Sequence, residues 1–365
     1  MKVYQVIPRG YCKGVIQAIE IAKKQAYQDD TYILGMIVHN QYIVDALENL
    51  GIKTIDKKGA SREELLDLVD QGTVIITAHG ASEQVINKAR KKNLNVIDAT
   101  CQDVIKTHDL IKRYLDKKIE ILYIGKNGHP ESEGALSIDS KHIHLIETKK
   151  DIDNLDPNLV YVITNQTTMS LYDVYDLCEY AKTVLKNITI AKETCQATTI
   201  RQEAIAKIND DVDVVFIVGD PHSNNTQKLA NISSNKANKT TYMIESVNDI
   251  TLEMLKDKKV AAVSSGASTP TYLTNQVINY LKQFNYHDTS TYIKPNIDLN
   301  KIHLDWLQAA MHVQDTVALL SKQLRRYVDE NYLEEERRIF ALIQDVQIKA
   351  VELNPQPPKG IFSEI

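Results

Sequence analysis

Short apolar runs of β-forming residues alternate with segments whose apolar positions recur at helical spacing, and the alternation continues with little interruption to about residue 285. The runs VYQV, YILGMIV, TVIITAHG, LNVIDATC, IEILYIG, LVYVITNQTT, ITIAKETC, VDVVFIVGD and VAAVSSGASTPT read as strands, with YILGMIV predicted to extend to His39. Between them, Val15, Ala18, Ile19 and Ala22 share one helical face, as do Ile43, Ala46, Leu47 and Leu50, with Gly51 at the expected C-cap. Ser61 and Glu64 form a capping-box pattern, Ser82 is suited to cap the helix beyond it, and a helix is predicted over 102–117. Strand, polar loop and helix in repeated succession favour an α/β fold with mainly parallel sheets. Three similar modules follow, over 1–98, 99–193 and 194–285. Beyond them YHDTSTYIKPNIDL reads as a linker, then two amphipathic helices over roughly 299–328 and 331–352 and a Pro-containing tail. Residues 286–365 thus form a linker and helical C-terminal extension, suited to contact the body, a second copy of the chain or a partner.

Composition narrows the class without deciding the function. The 365 residues are 43% hydrophobic and 25% charged, with a net charge of −5, enough to bury the cores of two or three domains. No basic block offers a phosphate-backbone surface, which argues against nucleic acid as a partner. No apolar run approaches the length of a bilayer span, and MKVYQVIPRGYC has no h-region, so a cytoplasmic protein is expected.

The chemistry concentrates where strands end. Cys12, Cys101 and Cys195 are almost evenly spaced, and each follows an apolar run, the arrangement by which α/β folds deliver functional groups to the carboxyl edge of a sheet. A reducing compartment disfavours a disulfide framework. Three thiolates can instead hold a metal or cluster and leave one coordination position open. The fourth cysteine, Cys178, falls within a helical pattern and reads as packing. The same strand ends carry His39, His79, His129, Glu131, Thr167, Thr168, Ser223, Asn224, Asn225 and Ser268: soft ligands, neutral donors for an anion, and a carboxyl able to move protons. PHSNNTQ and GASTPT also open helices, with Pro270 in a first turn, so their N–H groups favour phosphate. Neither a P-loop nor a GxGxxG turn is present. Four further residues stand beside this set: Glu133 competes for the role of Glu131, His108 reads as a hydrogen-bonded packing histidine, and His142 with His144 could chelate but lack a third ligand. A metal- or cluster-dependent enzyme, such as a zinc hydrolase with Glu131 as base, and a redox sensor both fit these residues.

The segments PRGYCKGV, VHNQYIV, TAHG, DATC, GHPESEG, NQTT, ETCQATTIRQEA, SNN and SGAS occur in an order that resembles the 4-hydroxy-3-methylbut-2-enyl diphosphate reductase family, over residues 1 to about 285. The resemblance implies a trilobed α/β protein around one [4Fe–4S] cluster held by Cys12, Cys101 and Cys195, with one iron open to substrate. It implies that His39, His79, Ser223, Asn225 and Ser268 hold an allylic diphosphate, with Asn224 beside them and His129 in the pocket. Glu131 would supply a proton that Thr167 relays. Electrons would come from a reduced donor such as ferredoxin or flavodoxin. Two features depart from the family: Asn224 stands where many members carry serine, and the C-terminal extension has no counterpart in compact members.

Overall fold

The structure is a computed structural model that describes residues 1–302 apart from 29, 58 and 192–194. The two C-terminal helices and the tail lie outside the described residues except at their first positions, where Leu299–Lys301 forms a 3-10 turn. The oligomer or partner contact expected of that extension therefore lies outside them as well.

Twelve strands are described: β1 (Lys2–Gln5), β2 (Thr31–Leu34), β3 (Lys53–Ile55), β4 (Thr73–Ile76), β5 (Asn95–Asp98), β6 (Glu120–Ile124), β7 (Ile143–Ile146), β8 (Val160–Asn165), β9 (Asn187–Ile190), β10 (Val214–Val218), β11 (Thr240–Ile244) and β12 (Val260–Ser265). They form three four-stranded sheets ordered β3-β2-β4-β5, β7-β6-β8-β9 and β1-β12-β10-β11. Every pairing is parallel, so the fold is the α/β class expected. Parallel strands need a return helix, and helices on the sheet faces bury them, which is why β10 reads VVFIV with all five residues buried.

The sheets do not follow chain order throughout. The first strand, which opens the first module along the chain, pairs with β12, Lys2 opposite Val260 and Gln5 opposite Val263. The Met1 ammonium reinforces this by donating to the carbonyls of Leu281 (3.1 Å) and Phe284 (3.0 Å), at the end of helix Thr271–Gln283 where carbonyls lack partners and the helix dipole is negative. Among the described residues, one compact unit accordingly comprises Met1–Glu20, His39–Ala46 and the residues from Ile200 to Ile302, and the other lies within Ile21–Val38 and Leu47–Thr199. The first unit has its core between the β1-β12-β10-β11 sheet and helix Thr271–Gln283, including Phe216, Val218, Val263, Leu273, Val277 and Leu281. The second holds the other two sheets, each with its own core, around Leu66, Val74 and Ile76 in one and around Leu122, Ile163 and Leu177 in the other.

Three local expectations are corrected. The YILGMIV run leaves the sheet at Leu34, because Gly35 turns the chain with φ +84, so His39 lies on a loop. Pro270 occupies the N-cap of helix Thr271–Gln283 instead of its first turn. The stretch from 286 to 298 is no free linker: Tyr292 stacks on Phe284 at 5.4 Å, the Asn296 carbonyl accepts from Gln276 Nε2 at 2.9 Å, and Ile297 packs on the first unit's core.

The turn after β10 is tightly built. A Cβ at Gly219 would lie 2.7 Å from Thr226 Oγ1 and 2.8 Å from Thr269 Oγ1, and Thr269 Oγ1 is already committed to the Val218 carbonyl at 2.9 Å. Gly219→Ala should therefore cost about 1–3 kcal/mol. Urea unfolding measures this, and a midpoint equal to that of the parent would refute the close approach.

Candidate active site

In the first unit, functional residues collect at the carboxyl ends of three adjacent strands, β1, β12 and β10. Beyond β1, the Gly10 N–H donates to Ser265 Oγ (2.7 Å), Arg201 Nη2 donates to the Gly10 carbonyl (2.8 Å), and the Cys12 N–H donates to the Ala267 carbonyl (3.0 Å). These bonds lay the PRGYC turn along the loop that follows β12. Ser268 in that loop donates to the His39 carbonyl at 2.9 Å, which brings His39 to the same edge. After β10, Ser223 caps helix Asn224–Asn235, its hydroxyl accepting from the Thr226 N–H at 3.5 Å. Asn224 and Asn225 open that helix, both buried, and neither the amide nitrogen nor the oxygen of Asn225 has a hydrogen-bond partner. A buried amide left unpaired costs several kcal/mol by order of magnitude, so this one marks a position prepared for a polar ligand.

In the second unit His79 follows β4 and Cys101 follows β5, His129 and Glu131 follow β6, Thr167 and Thr168 follow β8, and Cys195 follows β9. Arg62 holds both flanks of His79, donating to Thr77 Oγ1 at 2.7 Å and to the Gly80 carbonyl. Burial pushes its guanidinium down to about 10, with Glu133 and Asp56 acting in the opposite sense. His129 caps helix Pro130–Leu136, its Nδ1 accepting from the Glu131 N–H at 3.2 Å. A neutral imidazole that accepts at Nδ1 carries its proton on Nε2, which makes His129 a donor there. Its ring meets His79 edge-on, with centroids 5.5 Å apart.

The strongest local feature is Glu131, only 1% exposed. Its Oε1 accepts from the Thr167 N–H at 2.6 Å, and its Oε2 pairs with Thr167 Oγ1 at 3.0 Å. Burial pushes the carboxyl up to about 7, while the Thr167 bonds and the nearby Tyr123 hydroxyl pull the other way and Asp103 adds to the rise. Both protonation states are therefore accessible near neutral pH, the property a general acid requires. Glu133, its competitor in the sequence, is exposed.

Gln166, fully buried beside Thr167, ties the two loops together. Its Oε1 accepts from the Lys126 N–H (3.0 Å) and from Ser132 Oγ (3.2 Å), and its Nε2 donates to Thr168 Oγ1 (2.7 Å).

All four cysteines are free. Cys12, Cys101 and Cys195 are partly exposed, whereas Cys178 is buried in helix Leu171–Val184, where burial pushes its thiol up. Cys101 starts helix Gln102–Leu115 without capping it through its side chain, and both Cys101 and Cys195 act electrostatically on the Lys106 ammonium. Partly exposed thiols beside a cation are suited to the thiolate form that a ligand set needs.

The remaining candidates separate cleanly. His108 is half-buried with its Nε2 enclosed and unpartnered, so its expected hydrogen bond is absent at that nitrogen, and desolvation holds the ring below its usual range. His142 and His144 share the Glu120 carboxylate, at 2.8 and 2.9 Å, and His142 precedes β7 instead of lying within it. Sequence reasoning missed Arg62, Tyr123 and Gln166. Gln166 lies inside the NQTT segment and was open to notice, while Tyr123 is indistinguishable from core in an apolar strand.

A family model described as LytB protein matches residues 3–282. The chain is 47% identical over 308 residues, 83% of its length and 97% of the relative's, to 4-hydroxy-3-methylbut-2-enyl diphosphate reductase of Geobacillus sp. (strain WCH70). Against the protein of the same name from Bacillus subtilis (strain 168) it is 45% identical, covering 83% and 98%. Among solved structures, the E-1-hydroxy-2-methyl-but-2-enyl-4-diphosphate reductase from Plasmodium falciparum superposes with a TM-score of 0.73 at 31% identity, over 78% of this chain and 89% of that one. A structure titled (E)-4-hydroxy-3-methyl-but-2-enyl diphosphate reductase, the terminal enzyme of the non-mevalonate pathway, gives 0.54 at 29% identity, over 78% and 100%. A second family model, a protein of unknown function (DUF3375), matches residues 293–364, nearly all outside the described residues. With the strand-end motifs falling inside a match that runs from residue 3 to residue 282, the chain belongs to the LytB protein family.

Proposed function

We propose that this chain reduces (E)-4-hydroxy-3-methylbut-2-enyl diphosphate to isopentenyl diphosphate and dimethylallyl diphosphate, the last step of the non-mevalonate route. The reaction takes up two electrons and two protons, breaks the allylic carbon–oxygen bond and releases water. Membership of the LytB family supports the substrate, and the Glu131–Thr167 pair is the observation that carries the mechanism.

Cys12, Cys101 and Cys195 would hold a [4Fe–4S] cluster, with Cys178 excluded by its place in a helix core. When bound, the cluster supplies the electrons and a Lewis-acidic iron without a protein thiolate, chemistry no side chain provides. A reduced ferredoxin or flavodoxin would recharge it. Ser223, Asn224, Asn225 and Ser268, with His39 and His79, bind the diphosphate. The N-terminus of helix Asn224–Asn235 favours its charge, and the unpaired Asn225 amide supports this role. His129 donates through Nε2. Hydroxide leaves poorly, so departure needs a proton. The Thr167 hydroxyl donates to Glu131 Oε2 at 3.0 Å; once Glu131 is neutral and that bond reverses, the acid donates to Thr167 Oγ1, whose own proton then passes onward. No described helix is long and apolar enough to cross a membrane.

Anaerobically purified protein should be brown, and Cys12→Ser, Cys101→Ser or Cys195→Ser should each remove both colour and turnover. Full activity in a colourless, iron-free sample would sink the reading. Asn225→Ala should raise KM more than it lowers kcat, checked by steady-state kinetics at saturating reductant.

Glu131→Gln should retain substrate binding and lose about 10²–10⁴ in turnover. The acid must be protonated to act, so wild-type turnover should fall as pH rises through about 7. Stability carries the same sign. A folded-state pKa above the unfolded value means that folded wild type loses stability as pH rises between about 4.5 and 7. The Glu131→Gln protein lacks that loss, so the stability difference should move in its favour across this window. Parallel urea titrations at pH 5 and 8 test this, and an unchanged difference removes the buried carboxyl from the account.

A further inference from the structure

We propose that Gln166 is a positioning residue that aligns Glu131 with Thr167 for proton delivery, an inference that rests on the reductase reading above. The segment from Lys126 to Ser132 carries His129 and Glu131, and the Gln166 carbonyl oxygen accepts from both of its ends, at 3.0 and 3.2 Å. The other end of the same side chain donates to Thr168 Oγ1 at 2.7 Å, next to Thr167. The backbone of Gln166 is equally committed, its N–H to the Ile124 carbonyl at 2.8 Å and its carbonyl to the Met169 N–H at 3.1 Å. One amide, with no accessible surface, thus fixes the acid's loop to the relay's loop.

The alternative is a core amide that merely satisfies its neighbours. What separates the two is the Glu131–Thr167 geometry. Thr167 meets Glu131 with both its N–H and its hydroxyl, one on each carboxylate oxygen, a two-point contact that tolerates little rotation of either loop. Misplacing a reacting group by about 1 Å can cost 10²-fold in rate. Loosening the tie also weakens the bonds that favour the ionised form of Glu131, while the other groups that act on it, Tyr123 and Asp103, stay in place.

The test compares cluster-loaded wild type, Gln166→Met and Gln166→Glu under anaerobic conditions. Methionine fills the volume without the hydrogen bonds, and a buried neutral glutamic acid restores one acceptor and one donor. Steady-state kinetics should show kcat lowered 10- to 100-fold in Gln166→Met with KM within a factor of 2 or 3, and recovery in Gln166→Glu while its new carboxyl stays neutral. Independently of turnover, the infrared carbonyl band lost in Glu131→Gln should titrate at higher pH in Gln166→Met than in wild type. A Gln166→Met protein that has wild-type kcat and an unmoved band overturns the inference, as does one that loses only thermal stability. If methionine prevents folding, the glutamate variant decides: as its new carboxyl ionises its rate should fall away from the wild-type pH profile, and a profile that superposes on the wild-type one overturns the inference. An inactive wild type with a shifted band would overturn the reductase reading and leave the alignment intact.

Discussion

Parallel strand pairing is the constraint on which everything else depends. Because each strand in the three sheets runs the same way as its neighbours, the chain must return over a face after every one, and each sheet has a single edge where all its strands finish. Apolar residues occupy the strands and faces, so the polar groups have only that edge. Cys12, Ser268 and Ser223 follow three adjacent strands of one sheet, and Glu131, Thr167 and Cys195 follow three adjacent strands of another.

The chemistry then comes from taking polar groups out of water while keeping them only partly satisfied. Glu131 is held by Thr167 strongly enough to stay ordered, yet burial outweighs those bonds and leaves the carboxyl near 7. Asn225 lies at the other extreme, buried with its amide unpaired. Arg62 is intermediate, a buried guanidinium spent on holding the two sides of His79. Each carries a cost in the free protein that a correctly shaped ligand or a transferred proton can offset.

Much of this was legible in the chain. Apolar runs located the strands because parallel strands covered on both faces are rich in apolar residues, and the strand-end residues were found because Cys, His and Glu recur together at strand ends, where any one of them alone reads as a plain loop residue. The pairing of β1 with β12 was not legible, since periodicity reports a strand's faces and carries no information on its partner. The end of β2 was misread because Gly35 sits inside an apolar run, where only its backbone angle shows the turn. The segment after 285 looked like a linker because its anchors, Tyr292 and Ile297, are isolated apolar residues among polar ones. Gln166 stood inside the NQTT segment, but its hydrogen bonds to Lys126 and Ser132 on another loop left no mark there, and Tyr123 reads as core in an apolar strand.

The β1–β12 pairing also sets an order of assembly. Cys12 leaves the ribosome well before Val260–Val263, the residues with which the strand before it pairs. Its turn is tied down by Ser265, Ala267 and Arg201, all synthesised long afterwards. The strands before Cys101 and Cys195, by contrast, pair with strands made before them, Asn95–Asp98 with Thr73–Ile76 and Asn187–Ile190 with Val160–Ile163. Long-range closure of this kind is slow, because the loop entropy is lost before the contacts that repay it can form. A nascent chain would therefore carry Cys12 on an unpaired strand throughout that interval, and the turn that holds it can close only after the strand Val260–Ser265 has emerged.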